Sequence, residues 1–182
     1  MPAFGNYHNL ASPGRFATAA MCLLFLAGCQ EQTPEPRSSS VKGVAVTPQQ
    51  TENAAVEAFH LVNEERIRRG LVPLQRRRDL DAVAYAHALD LLGMNKLSHI
   101  SSNGRHLEDR LASQQWVWAG ENLARNKGFE SPAAEAVRGW IASPRHYENM
   151  FRPNFSQAGM ASIFDPDTGF TYFVQVFIIP VV

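Results

Sequence analysis

Cysteine is nearly absent from this chain. Of 182 residues only Cys22 and Cys29 carry a thiol, and both lie near the N-terminus. No disulfide can staple anything downstream, so a fold there must rest on its apolar core alone. A charge excess of one sign is missing too: 17 Lys and Arg oppose 17 Asp and Glu. No global field favours nucleic acid or an anionic surface, and nucleic acid is excluded as an expected partner. Long apolar runs are also lacking. The longest, over residues 16–27, would make about 18 Å of helix, too short to span a bilayer. The sequence contains no Gly-x-Ser-x-Gly elbow, no His-Glu-x-x-His pair and no phosphate-cradling glycine loop.

What is present begins with an address. Arg15 precedes the apolar run, and Leu26-Ala27-Gly28-Cys29 follows it as a lipobox. A short run, a small pair and a Cys in that order predict a lipoprotein signal over residues 1–28, with Cys29 as the lipidated first residue of the mature chain. Gln30 lacks the Asp that marks inner-membrane retention in some Gram-negative bacteria, so a bacterial envelope location is expected, with outer-membrane placement preferred. Residues 29–50 are rich in Pro, Ser, Thr and Gln and read as a flexible tether. Residues 51–182 are long enough for one core, and a monomer is expected.

The domain's periodicity alternates between helix and strand. Val56, Phe59, Val62 and Ile67 recur at helical spacing over residues 52–69, and Gly70 stands as a C-terminal cap. Leu71-Val72-Pro73-Leu74 reads as an extended connector. Asp79 is placed to cap a second helix with inner face Leu80, Val83, Ala84, His87, Ala88 and Leu91. A loop over residues 93–104 leads to a short helix over 106–114, and residues 116–118 add a short strand. Ser131-Pro132 and Ser143-Pro144 both spell a helix start. Residues 158–164 and 170–179 read as strands of a hairpin turned by Asp165-Pro166-Asp167-Thr168-Gly169. Helices first, then helices mixed with hairpin strands, predict an α+β fold.

Three short stretches carry the chemistry: Ser98-His99-Ile100-Ser101, Gly120-Glu121-Asn122 and Ser143-Pro144-Arg145-His146-Tyr147-Glu148-Asn149. They lie too far apart for one helix to present them, so the fold must bring them together. Converged, His99, Glu121, His146 and Glu148 form a ligand set for a divalent metal, zinc above all, or a site for water or a polar ligand without metal. Each also has a plainer reading. His99 could be a solvated loop residue, His146 a capping residue and Glu148 a solvated helix residue. Glu121 could be a buried brace that accepts hydrogen bonds. His87 is expected as a hydrogen-bonded packing residue, and His60 and His106 as surface. Asn122 and Asn149 read as braces, Arg76-Arg77-Arg78 as a solvated turn, and the three tryptophans as core.

The order and wording of these stretches resemble the CAP superfamily (cysteine-rich secretory proteins, antigen 5 and pathogenesis-related proteins) in its bacterial SCP-like branch. Leu61-Val62-Asn63 with Arg66, Gly70-Leu71, Pro73-Leu74, Ser98-His99, Gly104, Arg110, Gly120-Glu121-Asn122-Leu123-Ala124, Trp140, Ser143-Pro144, His146, Asn149-Met150 and residues 172–177 carry the resemblance in register. It implies an α-β-α sandwich with a central antiparallel sheet and a cleft lined by His and Glu. Two departures stand out. Arg145 and Tyr147 flank His146 where the family's stretch has Gly and Arg, and Tyr172-Phe173-Val174-Gln175 replaces the closing-strand His of eukaryotic members. Three functions follow as expectations. The first is a membrane-tethered module whose cleft binds a metal ion or small polar ligand. The second is a metal-dependent peptidase or esterase with Glu121 as catalytic base. The third is a lipid- or partner-binding module.

Overall fold

The structure, a computed structural model, describes residues 48–181. The expected signal, the lipid attachment at Cys29 and the tether up to residue 47 lie outside the described residues. In chain order the elements are α1 Pro48–Arg68, β1 Gln75–Arg76, α2 Arg78–Met94, α3 Leu107–Arg110, β2 Trp116–Asn126, α4 Pro132–Ala142, α5 Pro144–Phe151, β3 Gln157–Phe164 and β4 Thr171–Pro180.

Strand alternation builds the layers. Side chains of successive strand residues point to opposite faces. On β4, Tyr172, Val174, Val176 and Ile178 meet Leu80, Ala84, Ala88 and Leu91 of α2, while Phe173 and Phe177 meet Phe59 and Val62 of α1, Val137 and Trp140 of α4 and Met150 of α5. The result is the α-β-α sandwich: one long helix on one face, three helices on the other, and a core on each side. The strand order is β1-β3-β4-β2. The three long strands are antiparallel, as expected, but the sheet is mixed, because β1 adds two residues parallel to β3. That strand grows from the end of the extended connector, where Gln75 N–H donates to Ser156 O.

Local signals account for most boundaries. Gly70 takes φ 71° and ends α1 in a Schellman turn, with Leu71 N–H bonded to Arg66 O and Gly70 N–H to Ile67 O. Ser131 Oγ accepts from Ala134 N–H at 3.0 Å, and Pro132 opens α4. Ser143 closes α4 and opens α5, although its side chain makes no cap bond. Three expectations are corrected. The N-cap of α2 is Arg77 rather than Asp79. The helix runs through Gly93 to Met94 and ends on Asn95 in the left-handed region. The strand from Trp116 extends to Asn126, so the Gly-Glu-Asn stretch is strand, not loop.

Two buried details lock the layers together. Gly159 lets α2 approach β3 closely: a Cβ there would sit 2.2 Å from Leu80 C and 2.4 Å from Asp81 N. Arg66, fully buried, donates to Val72 O, Met150 O, Arg152 O and Phe155 O, tying α1 to α5 and to the segment after it. Four carbonyls around one guanidinium satisfy a charge that burial would otherwise penalise.

Candidate functional site

Glu121 sits mid-way along β2, the edge strand, with its side chain on the α2 face and only 6% exposed. A buried carboxylate requires partners. Arg110, the last residue of α3, donates from Nη2 to Glu121 Oε2 at 2.5 Å. His99, in the loop after α2, meets Oε1 through Nδ1 at 2.8 Å. A carboxylate accepts, so Nδ1 carries the proton, and Nε2 faces away from Glu121. The ring of His99 is largely exposed.

Behind this pair lies His87, with a fully buried side chain. Its Nε2 is 2.9 Å from Ser98 O. A carbonyl can only accept, so Nε2 is the protonated nitrogen, and Nδ1 accepts from Ser101 Oγ at 3.3 Å. Burial lowers the pKa of His87 against the opposing pull of Glu121, which keeps the imidazole neutral at pH 7. Arg110 Nη1 adds bonds to His99 O, Ser101 Oγ and Arg105 O, holding the loop that carries His99. Its Nε is buried with no acceptor among the described residues, at a cost of about 1–3 kcal/mol.

His146 arrives from the other face. The Ser143-Pro144 start places it in the first turn of α5, which packs along β2. Asn122 Nδ2 donates to His146 O at 3.0 Å, and Asn149 Nδ2 donates to Glu121 O and to Asn122 Oδ1. Both asparagines thus brace helix to strand. Gly120 makes room for this contact, since a Cβ there would lie 2.9 Å from Asn149 Oδ1. The pKa of His146 is lowered first by burial and then by the charge of His99.

The structure joins His99 to Glu121 directly, while His146 is tied to β2 through its backbone carbonyl, which accepts from Asn122. Glu148 is not brought in: it is exposed on α5 and paired with Arg152 at 2.5 Å. Among the described residues, no group of three or more His, Cys, Asp or Glu side chains is arranged to hold a metal ion. Glu121 orients His99 from behind. His87 packs by hydrogen bonds, as expected. Trp140 is core, but Trp118 is 55% exposed, with Arg152 stacked over its ring. Arg76 and Arg77 are not a solvated turn. They clamp Asp81, Asp79, Gln157 and Gln114 around the start of α2.

Sequence reasoning gave Arg110 and His87 no part in this cluster. The usable signal was Glu121 itself: a carboxylate just beyond two tryptophans needs a cation, and Arg110 stands 11 residues before it.

Residues 59–177 match the cysteine-rich secretory protein (CAP) family. The chain belongs to that family. It is 34% identical over 109 residues to YkwD of Bacillus subtilis and 32% identical over 106 residues to the membrane protein YlbC of the same organism. These alignments cover 59% and 57% of this chain but only 41% and 30% of the relatives, so the match spans less than half of either. Among solved structures, an extracellular SCP-domain protein of Bacillus anthracis superposes with TM-score 0.64 at 28% identity, over 74% of this chain and 44% of the other. An outer surface protein of Borrelia burgdorferi superposes with TM-score 0.65 at 22% identity, over 72% and 96%, and shares the fold. This CAP domain holds no cysteine, despite the family's description. Among the described residues no helix is long and apolar enough to cross a membrane.

Proposed function

We propose that the chain is a lipid-tethered binding module of the bacterial envelope, whose paired imidazoles His99 and His146 hold a divalent metal ion, zinc first, or a small polar ligand. The carrying observation is the 2.8 Å contact of His99 Nδ1 with Glu121 Oε1, backed by Arg110 on the other oxygen. A carboxylate behind a histidine fixes its tautomer and leaves Nε2 as the outward donor. The lowered pKa of His146 supports the same reading, because a neutral ring is the one that binds. The similar structures from an extracellular and an outer surface protein support the location. The tether rests on the lipobox at Cys29.

The hydrolase reading is weaker. A general base must reach a water, and the Glu121 side chain is only 3% exposed, with His99 and Arg110 against its two oxygens. The test is zinc titration of the full chain with elemental analysis of the washed protein. One retained zinc is expected, lost on His99→Ala and on His146→Ala with the fold intact. Retention unchanged in both variants would remove these histidines from the site. A peptide- or ester-hydrolysing activity that vanishes in Glu121→Gln at unchanged metal content would favour the enzyme.

A further inference from the structure

A concavity lies on the α2 side of the molecule. It is a groove of about 540 Å³ between the outer face of α2 and the segment from Ser101 to Gln114. Asp79, Val83, Ala86 and Asp90 recur along α2 at offsets of four, seven and eleven residues, so they form one stripe about 16 Å long. The stripe is acidic at its two ends and apolar between them. Arg105 and Arg110 lie on the opposite wall.

Arg110 is the element that marks this groove as more than a surface fold. Its side chain is only 6% exposed, and Nη1 and Nη2 are spent on the loop and on Glu121. Nε has no acceptor among the described residues. The buried guanidinium therefore retains one N–H for an oxygen that the protein does not supply. Asp90 complements it. Burial pushes its carboxyl up, but Ser102 N–H and Oγ–H together outweigh that and hold it below the usual carboxylate range, so it is charged at neutral pH. A ligand with only a negative group would meet Asp79 and Asp90, and one with only a positive group would meet Arg105 and Arg110. A ligand carrying both, with a small apolar middle, meets complementary partners throughout.

We infer that this groove is a binding site for a short zwitterionic ligand of the amino-acid or dipeptide class, its carboxylate toward Arg110 and its ammonium toward Asp90. The volume is in the range of small-ligand sites. The groove shares Arg110 with the histidine site, so the test includes His146→Ala, which spares Arg110 and separates the two readings.

The experiment is a titration of the full chain, labelled with ¹⁵N-arginine, with alanyl-alanine, followed at the Arg110 Nε–H resonance. Arg110→Lys identifies that resonance by removing it. A saturable shift is expected with alanyl-alanine. Acetate and ethylammonium, each bearing one of the two charges, should bind at least tenfold more weakly. Ala86→Trp fills the groove from an exposed position of α2, so it should abolish the shift while leaving the rest of the arginine spectrum in place. His146→Ala should leave it unchanged. No saturable shift with alanyl-alanine would overturn the proposal. So would acetate binding as tightly as the dipeptide, or a shift that survives Ala86→Trp. If Ala86→Trp fails to fold, the exposed Ala82→Trp serves the same purpose.

Discussion

The side chains of Arg110 and Glu121 are 6% and 3% exposed, and neither charge has another partner of opposite sign within its own element. Removing one member of such a pair leaves the other charged and dry. Arg110→Ala should therefore destabilise the domain by about 3–5 kcal/mol in urea melts. Glu121→Gln keeps the shape and should cost less, about 1–3 kcal/mol. A smaller loss for Arg110→Ala than for Glu121→Gln would mean that the pair is not what holds the loop. His87 makes a second, pH-dependent contribution. Its folded pKa lies below the ordinary value of about 6.5, so the unfolded chain binds more protons between the two values. Stability should fall as pH drops below about 6.5, and the fall should level off once pH passes below the folded pKa. His146 shifts in the same direction. In His87→Gln the urea midpoint between about pH 5 and 7 should vary less than in the parent, and an identical slope would assign the pH dependence elsewhere. At this scale the sequence disclosed one bonded pair but not the residues behind it. Glu121 and His99 stand in recognisable stretches, whereas Arg110 and His87 resemble ordinary helix residues until the fold sets Arg110 on the Glu121 carboxylate and His87 on the loop that carries His99.

Elements were legible where caps and periodicity agreed, and illegible where packing overrode propensity. Ser131-Pro132 and Gly70 marked real ends because each satisfies a specific backbone need. Residues 119–126 misled because Gly, Asn and charged residues are poor strand formers. Pairing with β4 from Trp116↔Pro180 to Asn126↔Thr171 supplies what propensity lacks, and Ala119 and Leu123 on either side of Glu121 pack into the α2-side core. The two-residue β1 carried no pattern at all; only its pairing with Gln157 and Ala158 defines it. Contact between α2 and β3 rests on Gly159, where an added Cβ would overlap the backbone of Leu80 and Asp81. Neither neighbour is a flexible side-chain end, so relief requires moving the helix. Gly159→Ala should cost about 1–3 kcal/mol or more, the range of overpacked cores. A thermal or urea midpoint unchanged by Gly159→Ala would show that α2 stands further from β3 than this contact implies.

At the scale of the whole molecule, a domain without a disulfide keeps two separate apolar cores, one on each sheet face, and both are closed by helices. None of those described helices can cross a bilayer. The proposed lipid tether lies in the residues before the domain. Two mechanisms compete there. In one, the apolar run over residues 16–27 stays as an anchor; in the other, it is removed and Cys29 carries lipid. The run makes only about 18 Å of helix against a hydrocarbon core of about 30 Å, which disfavours the anchor. The lipobox supplies the alternative. The two differ in mass and in response to one atom: Cys29→Ser leaves the apolar run untouched but removes the thiol. Under the lipoprotein reading the parent protein lacks residues 1–28 and carries acyl mass on Cys29, whereas Cys29→Ser yields an uncleaved or unlipidated chain that no longer fractionates with membranes as the parent does. Membrane fractionation and intact mass both unchanged by Cys29→Ser would sink the lipid anchor and return the apolar run to that role.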